Sequence, residues 1–218
     1  MLRKRTRSLL LGTATPESSD SRFEYRGFAY GFREVESAIR KTAECRETVE
    51  SQDTYLVGPR SDDVSVKIRD DRLSIKSRIQ IRGHLELWQP ILEEPFPLPR
   101  DLVLRALPEA LGIRGEELVL ERARLRANDL IEAIRRPHLD IIVGDVFKRR
   151  SFYEVLRCRT EIDEVLVTGQ AIRSVAVESV DAEQVEAAVV RIGLDRYPNC
   201  SFSRAIREIA RRPTSIWT

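Results

Sequence analysis

Two histidines and three cysteines are all that the 218 residues offer as soft metal ligands or redox groups. His84 and His138 stand far apart without a recognisable metal spacing, so they read as surface or hydrogen-bonding residues and not as parts of a zinc site. Cys45, Cys158 and Cys200 are few, unevenly spaced and odd in number, which argues against a disulfide framework and fits a reducing compartment. Each reads as a small buried hydrophobe. No apolar run approaches the length of a membrane-crossing helix. The opening "MLRKRTRSLLLG" starts like a signal peptide, but its apolar part stops after three leucines and polar "TATPESSDS" follows. Residues 1–20 are therefore expected to form a disordered tail, 21–211 a single domain and 212–218 a C-terminal tail, in a cytoplasmic protein. Net charge is scarce too. Thirty-seven lysines and arginines against 35 acids leave a formal charge of +2, too little to draw in nucleic acid or a membrane surface by global attraction. Any anion site has to be local.

Individual charges, in contrast, are abundant: 33% of residues are ionic and 42% apolar, so a soluble domain must place many charges, some of them inside. Strand patterns recur in "RFEYRGFAYG", "DTYLVG", "VSVKIRDDRLSIK", "IQIRGHLELWQPI", "DIIVGDVFKRR", "SFYEVLRCRTEIDEVLVTG" and "AIRSVAVES". Helical spacing joins Phe32, Val35, Ile39 and Ala43, and again Leu102, Val103, Leu107 and Leu111 ahead of Gly112. "NDLIEAIRR" reads as a short helix capped by Asn128 or Asp129 and stopped before Pro137. In "DAEQVEAAVVRIGL", Asp181 and Gln184 have capping-box spacing, while Val185, Ala188, Val189 and Ile192 form a stripe that Gly193 ends. "EEPFPLPRD" reads as a connection, and "ELVLERARLRA", open to either strand or helix, is taken as a strand.

Parity along the strands is the informative feature. A two-residue turn at Asp70-Asp71 pairs Arg69 with Arg72, Ile68 with Leu73, Lys67 with Ser74, Val66 with Ile75 and Ser65 with Lys76. Val66, Ile68, Leu73 and Ile75 then share one face, and Lys67, Arg69, Arg72 and Lys76 the other. Facing like charges destabilise a strand pair, so that side meets either water or an anion. The pattern returns in Arg157, Arg159, Glu161 and Asp163, in Lys148 with Arg150, and in Glu24 between Arg22 and Arg26. Sheets with one solvated face account for any single case. Recurrence favours an α+β fold: an antiparallel closed β-barrel with a polar lumen and helices packed outside.

The order of these motifs resembles the CYTH family, the triphosphate tunnel metalloenzymes that include tripolyphosphatases, thiamine-triphosphatases and one class of adenylate cyclases. "VKIRDDRLSIK", "FKRR", "TEID" and "VAVES" are similar to successive family segments between Arg22 and Ile209. The resemblance implies phosphate binding by Arg26, Lys67, Arg69, Lys76, Lys148, Arg150 and Arg159, metal binding by Glu24, Glu161 and Glu178, and a catalytic Asp163 that orients metal or water. It further implies a Mg2+ or Mn2+ cofactor and hydrolysis of inorganic tripolyphosphate or an organic triphosphate, with no specific nucleic acid, no membrane, and a homodimer allowed. Two motifs depart from the family pattern. Its opening ExExK falls on "RFEYR", with Arg22 and Arg26 in place of glutamate and lysine, and its last ExE becomes Ala176-Val177-Glu178. A non-catalytic module that binds polyphosphate or a phosphorylated ligand is the alternative, and a structural domain with solvated charges the third reading. Trp88 is expected in core or tunnel-mouth packing.

Overall fold

Among the described residues there are ten strands, eight of them long enough to show alternation at period two, and five α-helices. In the computed structural model, residues 21–136 and 139–211 are described. The strands are β1 (Arg22–Ala29), β2 (Glu47–Val57), β3 (Val64–Arg69), β4 (Arg72–Arg82), β5 (Leu85–Pro95), β6 (Leu98–Pro99), β7 (Arg124–Leu125), β8 (Ile142–Val155), β9 (Cys158–Val167) and β10 (Gln170–Ser179). The helices are α1 (Arg33–Thr42), α2 (Arg100–Leu111), α3 (Ala127–Ile134), α4 (Ala182–Ile192) and α5 (Phe202–Arg211). Eight strands close into an antiparallel barrel in the order β1-β10-β9-β8-β2-β3-β4-β5, while β6 and β7 pair separately.

The β3-β4 hairpin takes the register that its alternation predicts, from Ser65 opposite Lys76 to Arg69 opposite Arg72. Asp70 and Asp71 both adopt positive φ, the conformation a tight two-residue hairpin turn demands and aspartate tolerates. Outward-facing Val66, Ile68, Leu73 and Ile75 pack under Val103 and Leu107 of α2 and Leu130 and Ile134 of α3. On the opposite side, Tyr25, Ile162, Val175 and Val177 lie beneath Val35 and Ile39 of α1 and Val185, Ala188 and Val189 of α4. Asp181 caps α4 by accepting from the backbone N–H groups of Glu183 and Gln184, and Gly193 ends the helix at φ 73°.

Several boundaries differ from the sequence expectation. Within "ELVLERARLRA" only Arg124–Leu125 is strand, because a closed barrel offers no free edge; Leu118 and Leu120 instead anchor a loop in the α2-α3 core. The segment "SFYEVLRCRTEIDEVLVTG" contains a hairpin turn at Leu156-Arg157, both at positive φ, so β8 runs through to Val155 and β9 begins at Cys158. Helix α3 starts at Ala127 with Arg126 as N-cap, and Asp129 reaches back to accept from the Arg126 N–H at 2.9 Å. Cys158 is buried and Cys200 half-buried, but Cys45 is exposed, so the buried-hydrophobe expectation fails there. His84 is exposed, as expected of a surface residue; His138 and the two terminal tails lie outside the described residues. No helix among the described residues is long and apolar enough to cross a membrane.

Helix α5 has no counterpart in the sequence reading, and it seals one end of the lumen. Inward-facing Phe28, Val57, Val146, Val165, Val167 and Ile172 form one apolar cluster with Ala205, Ile206 and Ile209 of α5. A Cβ at Gly144 would stand 2.9 Å from Ile206 Cγ2, so the bare backbone lets the helix seat. The strap before α5 also completes the wall. β1 pairs with β5 only over Arg22–Glu24; beyond that, Cys200 N–H donates to the Arg26 carbonyl at 2.8 Å and Arg26 N–H donates to Asn199 Oδ1 at 2.9 Å. Truncating the plug tests this packing: Ile206→Ala, at a side chain only 1% exposed, is expected to cost about 2–5 kcal/mol in urea denaturation. Val190→Ala, on the exposed face of α4, should stay within about 0.5 kcal/mol.

Candidate functional site

Above the apolar plug the lumen opens into a cavity of about 170 Å³. Its wall carries Glu24 and Arg26 from β1, Tyr55 from β2, Lys67 and Arg69 from β3, Lys76 from β4, and Trp88 from β5. Lys148 and Arg150 from β8, Arg159 and Glu161 from β9, Glu178 from β10 and Phe202 from α5 also line it, with Ser65, Ser74 and Ser201 between them. The barrel thus brings the cations and glutamates singled out in the sequence into one enclosure. Asp163 is the exception: fully buried, it lies beneath Arg26 and off the cavity wall, so the side chain expected to orient metal or water is placed to hold an arginine. Trp88 is buried at the wall with its Nε1–H donating to Glu86 at 3.2 Å, in keeping with tunnel packing.

Two walls of opposite character face each other. On the β1-β9-β10 side, Arg26 donates from Nε to Glu24 at 2.8 Å, from Nη1 to Asp163 at 2.8 Å and Ser174 at 2.9 Å, and from Nη2 to Glu161 at 3.4 Å. Arg159 bridges Glu161 and Glu178, at 3.2 Å to each. Burial works against the Arg26 charge, but Glu24, Asp163 and Glu161 outweigh it and raise its pKa well above the ordinary value. Burial likewise opposes ionisation of Glu161, yet Arg26 and Arg159 hold it below the usual carboxylate range. Burial and the charges of Glu24 and Glu161 push Glu178 up.

On the β2-β3-β4-β8 side the anchor is Asp53, wholly buried and gripped by Arg69 through both Nε and Nη2. Lys148 Nζ sits 3.0 Å from Asp53, donates to Tyr55 Oη at 2.9 Å and lies 3.4 Å from the Phe202 ring centroid. Burial pushes the Asp53 carboxyl up, but the Arg69 hydrogen bond and the Lys148 and Lys67 charges win and hold it well below the carboxylate range. Lys67, Lys76 and Arg150 differ from these. Among the described residues none of the three has an ion-pair partner, and the Arg150 Nε is buried without a hydrogen bond. Burial, with Arg69 and Lys148 nearby, lowers Lys67 to about 7; burial, partly offset by Asp53, lowers Lys148 to about 8.

A divalent cation would have to draw on Glu24, Glu161 and Glu178. Each already faces an arginine nitrogen at 2.8–3.4 Å, which spends carboxylate lone pairs and repels a second cation. Among the described residues no group of three histidine, cysteine, aspartate or glutamate side chains is disposed to hold a metal ion. The donors present do not fit Mg2+ or Mn2+. Asp53, Tyr55 and Phe202 were missed as site residues. Asp53, Tyr55 and Val57 alternate in "DTYLVG", so the inward aspartate was readable from the strand; nothing local in "CSFSR" marks Phe202 as a cavity floor.

No protein-family model matches the sequence, nor does any curated protein sequence. Solved structures do. HpAC1 from Hippeastrum, an adenylyl cyclase candidate with a dominant triphosphatase activity, aligns over 86% of this chain and 95% of its own, at 13% identity and TM-score 0.50. The fold is the CYTH-like triphosphate-tunnel fold. A conserved hypothetical protein of Pyrococcus furiosus covers 83% of this chain and 98% of its own, at 12% identity and TM-score 0.47. An adenylate cyclase candidate from Bacillus halodurans covers 88% and 96%, at 9% and 0.46. Identities this low speak to the CYTH-like architecture alone. Within it, Asp53 is the residue whose loss should cost most: Asp53→Asn leaves Arg69 and Lys148 facing each other uncompensated, an expected loss of about 3–5 kcal/mol in chemical denaturation.

Proposed function

We propose that the barrel binds a linear triphosphate chain, as inorganic tripolyphosphate or as the triphosphate of an organic molecule, in the lumen cavity. The observation that carries this reading is the unpaired set Lys67, Lys76 and Arg150 facing one enclosed space. Clustered cations in a confined, poorly hydrated site repel one another, and a polyanion relieves that cost through charge-assisted hydrogen bonds. Arg150 can offer its fork to two phosphate oxygens, while the lysines act as point charges. Arg69 and Lys148, fixed by Asp53, add positive potential behind them. A triphosphatase activity in the Hippeastrum protein of the same fold supports this class of ligand.

Metal-dependent hydrolysis is the other activity that the resemblance implies, with Glu24, Glu161 and Glu178 on the metal and Asp163 orienting it or a water. Those carboxylates are spent on Arg26 and Arg159, so capture of the chain without metal-dependent turnover is the function the geometry supports best. Titration calorimetry of the full chain with tripolyphosphate is expected to show saturable binding. A Lys67→Ala/Lys76→Ala double variant should weaken it by about a hundredfold or more, two charged hydrogen bonds being lost. Phosphate release from tripolyphosphate, ATP or thiamine triphosphate with Mg2+ or Mn2+ should remain at background. Absence of binding sinks the reading, and release that the double variant abolishes would restore the hydrolase.

Lys67 makes binding sensitive to pH. With a folded value of about 7 against an ordinary 10.5, the free folded protein holds fewer protons here than the unfolded chain between those values. This group's contribution to stability therefore rises with pH from about 7 to 10.5 and is lost as pH falls through 7. A bound polyanion favours the charged amine, so capture at pH 8 should take up a proton that a Lys67→Arg variant, charged throughout, does not. Calorimetry in two buffers of different ionisation heat measures the difference, from which the ligand's own titration cancels. Equal uptake by both proteins would rule Lys67 out.

A further inference from the structure

We infer that Arg26 and Arg159 are resident counter-cations of the carboxylate wall, so that the triphosphate chain enters this barrel as the free anion and not as its divalent-metal complex. The inference rests on the proposed triphosphate reading and names the chemical form of the ligand. Arg26 is itself 7% exposed, and all three of its guanidinium nitrogens point at acceptors: Glu24, Asp163 with Ser174, and Glu161. Arg159 takes the second Glu161 oxygen and one of Glu178, and its guanidinium carbon stands 4.4 Å from the Phe152 ring centroid. These two charges are tethered to β1 and β9, so they offset part of the charge of Glu24, Glu161, Asp163 and Glu178 at any metal concentration, without a diffusible ion that has to be recruited. A metal-bound chain would bring its cation against two guanidinium groups and would have to compete with them for Glu24, Glu161 and Glu178. A bare chain meets no such cost. Its oxygens face Lys67, Lys76 and Arg150, which have no carboxylate partner among the described residues and for which the bare anion carries the greater charge.

The consequence is directional: divalent metal should antagonise binding by withdrawing free ligand. Calorimetry of the full chain with tripolyphosphate is run in EDTA and then in excess Mg2+. Apparent affinity is expected to fall in proportion to the metal-free fraction, about tenfold when a tenth of the ligand remains free. The electron paramagnetic resonance signal of Mn2+ should stay that of the free ion when wild-type protein is added. In an Arg26→Gln/Arg159→Gln variant the freed carboxylates should quench it with stoichiometric binding. Should that variant fail to fold, the two wild-type measurements decide by themselves. Binding that tightens with Mg2+, or stoichiometric Mn2+ uptake by the wild type, overturns the inference while leaving triphosphate capture standing. No tripolyphosphate binding in either medium overturns both.

Discussion

Closing eight antiparallel strands turns every second side chain toward the barrel axis, and along the middle of this barrel those side chains are ions. Away from bulk water an ion is tolerated only with a partner, so the rest of the site follows from how the pairs are made. Asp53 settles one wall by joining Arg69 and Lys148, and Arg26 settles the other by joining Glu24, Glu161 and Asp163. Once these pairs are formed, what is left over is positive: Lys67, Lys76 and Arg150. The surplus is local, as a chain with a net charge of only +2 requires of any anion site.

The apolar end of the lumen gives this arrangement its depth. α5 fills the barrel with Ile206 and Ile209 against Val146, Val165 and Ile172, which removes the water that would otherwise solvate Lys148 from below. Phe202 replaces that water with an aromatic face, and Tyr55 supplies an oxygen. Lys148 is thereby held between a ring, a phenol and a carboxylate, and its pKa falls through burial while Asp53 keeps it from falling further. The same plug makes the site a blind pocket whose floor is stiff, because it is packed as a core.

Arginine changes the character of the carboxylate wall. A guanidinium is charged at any working pH, planar, and able to serve several acceptors at once, as Arg26 does with its three nitrogens. Such a group supplies a permanent countercharge but lacks the open coordination positions through which a metal ion would touch a phosphate oxygen. Capture of an anion needs only the opposite wall, whose surplus cations remain available. Binding and metal-dependent chemistry are therefore separable in this barrel, and the ion pairs favour the first.

Much of this was legible from residue order, because strand parity is a local property. The β3-β4 register followed from a two-residue turn between alternating arms, and the inward set Glu24, Arg26, Lys67, Lys76, Lys148 and Glu178 followed from counting by two. The outer helices were legible from their apolar spacing, as in α1 and α4. Residue order did not show which ions would meet. Arg26 and Asp163 are 137 positions apart, and only closure of β1 beside β10 and β9 sets their oxygen and nitrogen 2.8 Å from each other. The plug was hidden for a related reason: the helical spacing of Ala205, Ile206 and Ile209 was available to read, but what α5 buries comes from strands of the entire chain. The order of residues thus determined which side chains turn inward, since that depends on backbone period alone. Tertiary structure decided their partners and the surplus left for a ligand, since electrostatic pairing depends on distances that no stretch of sequence contains.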